Sequence, residues 1–321
     1  MTNSGWGRTE SPFHAGEIAI QTRLGIQDRM DRQGRRIIRE YLTEQHQKFF
    51  ARLAYAIVGI VDEFDRPWTS ILIGKPGFLS TPSDRLLKVV AKPLPGDPLK
   101  DNLTVGNDIG LLGIELHSRR RNRLNGIISS SDRNSFEVTV SQSFGNCPQY
   151  IQARTFEFVE TSNSVSPQIK EINSFGESEN NLIANADTFF ITSAYQKESA
   201  GIAKGIDVSH RGGKPGFVRI DGEKTLTVPD FSGNNHFNTL GNIELNPSVG
   251  LLFLDFMWGD VLYLTGTAEV IWSGREISTY AGAQQLIRFD LQKGYLAKTS
   301  LPLCWTTPDF SPFLKDTGSW K

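Results

Sequence analysis

Apolar and polar positions along this chain follow two different periods. From Glu17 to Glu40 the apolar residues Ile26, Met30, Ile37 and Ile38, followed by Tyr41, recur near spacings of three and four, which places them on one face of a helix. Arg29, Arg32, Arg35, Arg36 and Arg39 fill much of the remainder. Asp28, Asp31 and Glu40 interleave with them, as on a solvated face carrying local ion pairs. A second short helix is predicted over Thr43–Arg52, with Phe49 and Phe50 turned inward. From Ala56 onward the pattern is that of strands. Ile57–Val61 and Trp68–Ile73 flank a polar turn and read as a hairpin. Further strands are predicted at Leu86–Val90, Ile109–Leu116, Leu124–Ile128 and Phe136–Val140. The Ser-, Asn- and Glu-rich stretch Thr161–Glu179 reads as a linker. Strands resume at Thr188–Thr192 and include the apolar run Val249–Leu254. Glu276–Leu291 is expected to pack outside the strands, alongside the N-terminal helix.

The strand-rich part of the chain repeats itself. Gly74-Lys75-Pro76-Gly77-Phe78 recurs letter for letter as Gly213-Lys214-Pro215-Gly216-Phe217, 139 positions later. Gly110-Leu111-Leu112 recurs as Gly250-Leu251-Leu252, and Leu124-Asn125-Gly126 is matched by Leu264-Thr265-Gly266, both 140 positions later. A nearly constant offset implies two copies of one β-rich unit. Many short strands with frequent turn signals favour small antiparallel barrels, which leave few open edges. The expected organisation is an N-terminal arm and helix over 1–44, a first barrel over 45–158, a linker over 159–182, a second barrel over 183–300 and a C-terminal tail over 301–321. The copies differ where the second carries the polar run Asp230–Asn238 and the first a Pro-rich connection, so they are expected to have divided roles.

Composition narrows the function. A chain of 321 residues suits two domains of about 150 residues each. Its hydrophobic content of 38%, charged content of 21% and net charge of −1 describe an ordinary globular protein and give no electrostatic footprint for nucleic acid. No apolar run reaches the length of a membrane span. The polar N-terminus lacks a secretory apolar core, and two cysteines without metal-ligand spacing fit a reducing cytoplasm. Hydrolase elbows, zinc-protease motifs and nucleotide phosphate loops are absent. The five histidines are scattered, so no metal site is predicted. Any catalysis would therefore need a cofactor to carry the difficult step.

The segment Asp207–Pro247 is the richest in candidate chemistry. Glycines allow close backbone approach and positive φ, and consecutive N–H groups in such turns can cradle an anion. Its order is a strand, Gly216-Phe217-Val218-Arg219, a hairpin, Val228-Pro229-Asp230, a polar loop, and Asn246-Pro247 ahead of an apolar strand. This order resembles the pyridoxamine 5′-phosphate oxidase-related FMN-binding split-barrel family, most clearly over residues 183–272. Ser11-Pro12-Phe13-His14 and Phe144-Gly145-Asn146-Cys147-Pro148 add to the likeness. The resemblance implies a mainly β protein: two tandem FMN-binding split β-barrels, six-stranded in the family, with peripheral helices. They would form a pseudo-dimer within one chain, with FMN in the groove between them.

Carried onto this sequence, the resemblance assigns cofactor binding to Ser209, His210, Arg211, Gly213, Pro215, Gly216, Phe217, Val218 and Arg219. It adds Pro229, Asp230, Ser232, Asn234, Asn235, Asn238 and Thr239, together with Asn146 and Gln149 from the first copy. The Ser-Arg-Lys that the family often places near the phosphate has no counterpart here. Arg211, or an arginine from Arg119 to Arg123, is expected to substitute, since guanidinium suits bidentate phosphate contact. The expected function is a flavin-dependent oxidoreductase of unknown substrate. A non-catalytic flavin or haem carrier on the same fold stands as the alternative, and a further homodimer is left open.

Overall fold

The computed structural model describes residues 5–159 and 167–321. Among the described residues its core is two sheets, of seven and eight strands, which share a seven-strand path; the eighth strand, Ile169–Ile172, pairs off that path with Gly294–Ala297. The first contains β1 (Tyr55–Val61), β2 (Pro67–Ile73), β3 (Leu79–Ser83), β4 (Leu86–Val89), β5 (Asp108–Glu115), β6 (Arg120–Ser131) and β7 (Phe136–Gly145). The second contains β8 (Thr188–Tyr195), β9 (Gly205–Gly212), β10 (Arg219–Ile220), β11 (Thr225–Phe231), β12 (Ser248–Leu254), β13 (Val261–Ile271) and β14 (Ala283–Ala297). The strand orders are β2-β1-β5-β6-β7-β4-β3 and β9-β8-β12-β13-β14-β11-β10, the same path twice. Neither path closes on itself, so each unit is a split barrel. The seventh strand of each path, β3 and β10, is a short hairpin partner at the edge.

The repeated pentapeptide forms the same turn in both barrels. Phe78 N–H bonds to Lys75 O and Phe217 N–H to Lys214 O, each at 2.9 Å. Gly77 and Gly216 sit at φ +97° and +83°, and a Pro-Gly pair supplies the geometry a type II turn requires. The repeated Gly-Leu-Leu has a different purpose. Gly110 of β5 lies against the Ile206 backbone of β9, and Gly250 of β12 against the Pro67 backbone of β2. In both places a Cβ would come closer than 3.0 Å to a carbonyl oxygen. These two contacts are one contact repeated by a pseudo-two-fold axis, and they set how closely the barrels approach. Apolar residues of both barrels, among them Val58, Leu111, Phe190, Val208, Leu252 and Tyr263, merge there into one buried cluster.

Among the described residues five α-helices pack outside: α1 (Ala15–Arg23), α2 (Gln27–Ile37), α3 (Glu44–Arg52), α4 (Glu177–Asn185) and α5 (Asn238–Leu245). The helical pattern expected over Glu17–Glu40 is divided between α1 and α2, because Gly25 takes φ +67°. Glu276–Leu291 does not pack outside as expected. After a short turn at Ile277–Thr279 it enters β14, whose burial alternates and which pairs with β11, β13 and the short strand Ile169–Ile172. Residues 160–166, within the expected linker, lie outside the described residues. No helix among the described residues is long and apolar enough to cross a membrane.

Candidate functional site

A cleft with a cavity volume of about 120 Å³ lies on the seam between the barrels. The first barrel contributes Arg121 and Arg123 of β6 and the turn from Asn146 to Tyr150; the second contributes the end of β9, the end of β11 and the loop into α5. Side chains alternate along β6. Arg121 and Arg123 therefore face the cleft, while Arg120 lies over the Phe49 ring at 5.5 Å. Arg119, just before the strand, bonds away to Ile151 O and Asp309.

Three guanidinium groups converge here. Arg123 donates to Asp207 Oδ1 at 2.8 Å and to Ser209 Oγ. Arg121 donates to Cys147 O at 2.7 Å and to His210 O at 3.3 Å. Arg211 pairs with Asp230, which Gln285 also contacts. Two carboxylates thus face three fixed positive charges. Burial, reinforced by Arg121 and Arg123, pushes the Arg211 pKa down to about 9. Burial also lowers Arg121 to about 10, with Arg123 adding to it. His210 is held well below its ordinary range by burial and then by Arg121 and Arg211, so it adds no charge at neutral pH. Arg123 Nε, Arg211 Nε and Asn146 Nδ2 are buried without hydrogen-bond partners. Uncompensated donors and excess positive charge in a low-dielectric site favour an anion.

The loop into α5 adds to this field. Asn235 and Phe237 are held at φ +61° and +63°, conformations that cost about 1–3 kcal/mol each and collect at functional sites. Phe237 is the N-cap of α5 and provides no side-chain cap. The first N–H groups of the helix are thereby left for another acceptor. Behind the loop, Asp207 accepts from Asn125 and Asn242 at 2.8 and 2.9 Å as well as from Arg123. Asn242 reaches His14 Nε2 at 2.8 Å, and Asn238 donates to Glu17. His14 thus anchors α1 to α5 beneath the cleft.

Most of the residues assigned from sequence surround this cleft: Ser209, His210, Arg211, Phe217, Pro229, Asp230, Ser232, Asn234, Asn235, Asn238, Thr239, Asn146 and Gln149. Gly213, Pro215, Gly216, Val218 and Arg219 do not line it. The C-terminal tail covers that edge, with Trp320 Nε1 donating to Phe217 O at 2.9 Å and Lys214 Nζ to Thr317 O at 2.5 Å. Arg219 pairs with Asp221 and Glu276 and lies over the Trp320 ring. Asp207, Tyr150, Phe231, Phe237 and Gln284 were not among the residues assigned to cofactor binding from sequence. The alternation of β6 and the polar face of β9 were the signals available for Asp207.

Fold and cleft together define a tandem split-barrel protein with one cationic groove at its internal interface. The chain is structurally similar to a putative pyridoxamine 5′-phosphate oxidase from Lactobacillus delbrueckii, with 13% identity, a TM-score of 0.30, and coverage of 38% of this chain and 94% of that one. It is also similar to Group A Streptococcus HupZ (14% identity, TM-score 0.28, covering 36% and 89%). A third is a FAD-binding protein from Mesorhizobium loti (11% identity, TM-score 0.26, covering 40% and 99%). No family model matches the chain, and no curated protein matches it.

Proposed function

We propose that the cleft binds a flavin through its phosphate, FMN being the form its charge suits, and that the protein is an FMN-dependent oxidoreductase of the cytoplasm. The observation that carries the reading is the excess of three arginines over two carboxylates, set beside an uncapped helix N-terminus. Arg121, Arg123, Arg211 and the first N–H groups of α5 would hold the phosphate. Tyr150, Phe231 and Phe237 offer aromatic surface on the cleft wall for a planar ring. A bound flavin supplies hydride or electron transfer, while the protein supplies position and field.

Titration with FMN, followed by flavin fluorescence, tests this. Arg211→Ala should weaken binding about tenfold or more, since a hydrogen bond to a charged group contributes roughly 1.5–3 kcal/mol. Wild-type protein that leaves FMN fluorescence unchanged at micromolar concentrations would remove the proposal.

One observation favours a carrier without turnover. Asp230 is the one carboxylate among the described lining residues, and Arg211 and Gln285 already engage it. Flavin-loaded protein that fails to oxidise NADH or NADPH would support the carrier reading over the enzyme.

A further inference from the structure

We propose that the chain has a single ligand site, because the cleft's pseudo-two-fold counterpart is plugged by the chain's own segment Pro93–Asn102. The inference rests on the cleft being the ligand site. Strand register defines the counterpart. Gly59 pairs with Gly110 and Thr192 with Gly250. From these anchors Ser70 stands where Ser209 does, Ile71 where His210 does and Leu72 where Arg211 does. On the neighbouring strands Val261 replaces Arg121 and Tyr263 replaces Arg123. Every arginine of the cleft is thus absent from the second groove.

The connection between the fourth and fifth strands closes it. In the second barrel this connection forms the polar loop and α5 that line the cleft. In the first barrel it is the Pro-rich stretch containing Asp97 and Leu99. Asp97 accepts from Ser70 Oγ and, at 3.5 Å, from Tyr263 Oη. It therefore bridges the counterparts of Ser209 and Arg123. Ser70, Ile71, Leu72, Tyr263 and Leu99 are all completely buried. Outside the plug the surface depression carries Asp62, Glu63, Asp65, Asp101 and Asp108 against Arg66 and Lys100, a balance that repels a phosphate. The repeat has kept the fold of both grooves and the chemistry of one.

Equilibrium dialysis against FMN reads the stoichiometry. One equivalent per chain is expected, its affinity weakened about tenfold or more in Arg123→Ala and in Arg211→Ala. Two equivalents in wild type, or one of undiminished affinity in both variants, would overturn the single-site inference. Wild type that binds no FMN would sink the flavin reading instead. The plug is then read without ligand, by hydrogen–deuterium exchange at the amides of Leu99, Lys100 and Asn102, which bond within the segment. Protection comparable to β2 is expected; exchange at the rate of an open loop would overturn the plug.

Discussion

Arg123 of the first barrel and Asp207 of the second meet across the seam at 2.8 Å, both almost fully buried. Asp207 also holds Asn125 and Asn242, so a single carboxylate ties β6, β9 and α5 together. Removing one partner of a buried ion pair leaves the other charge uncompensated, at a cost of about 3–5 kcal/mol. Asp207→Ala should lower stability by that order in urea unfolding. A loss below about 1 kcal/mol would show that Arg123 finds another counter-ion.

Gly110 and Gly250 predict a matched pair of defects. A methyl group at either position would press on the facing barrel's backbone, and overpacking of this kind costs typically about 1–3 kcal/mol. Gly110→Ala and Gly250→Ala should each destabilise within that range, whereas Gly7→Ala, with open space around it, should change little. Thermal unfolding of the three variants checks this. An effect at only one of the two seam positions would contradict the two-fold relation.

Much of the architecture was legible because strand periodicity and the repeated Gly-Lys-Pro-Gly-Phe turn are local signals. The polar loop Ser232–Thr239 and the strand end Ser209–Arg211 were also legible, being unusual in composition. What escaped depended on distant segments. Gly213, Pro215, Gly216 and Val218 do not line the cleft, because the tail around Trp320, about a hundred residues away in sequence, covers that edge. Strand β14 was missed because apolar spacing in Glu276–Leu291 does not distinguish a strand from a packing helix until its partners are known. Asp97 lies in the Pro-rich connection of the first copy, and only the register of the two sheets reveals what it faces.

His236 predicts an acid limb in the stability profile. It is completely buried, with Phe13 and Phe144 rings 5.4 and 5.7 Å away, and neither ring nitrogen has a hydrogen-bond partner. Burial, then Arg123, pushes its pKa down from 6.5 to about 4, while Asp207 acts to raise it. The unfolded chain therefore binds more protons than the folded one across that window. Stability should fall as pH drops from 6.5 towards 4, by about 3 kcal/mol from this residue at 1.36 kcal/mol per pKa unit. His46, lowered to about 4 chiefly by burial, acts in the same direction. His236→Phe should flatten the limb by its own share, measured as urea midpoints at pH 7.5 and 4.5. Parallel profiles for wild type and variant would show that His236 does not titrate on unfolding.

Asp97 predicts a dependence of opposite sign. Burial raises its carboxyl from 3.8 to about 7, against the lowering effect of its hydrogen bonds with Ser70 and Leu99. Here the folded chain binds the extra proton, so Asp97's contribution is fully present below pH 3.8 and is lost as pH rises through 7. Above that, a charged carboxylate stays buried among Ser70, Tyr263 and Leu99. Asp97→Asn removes the titration and retains a carbonyl acceptor. Relative to wild type, the variant should gain stability between pH 5 and pH 8, a comparison in which common effects of the histidines cancel. Urea unfolding at the two pH values gives the difference directly. A constant offset would mean that Asp97 is ionised throughout, and that a neighbouring cation compensates it.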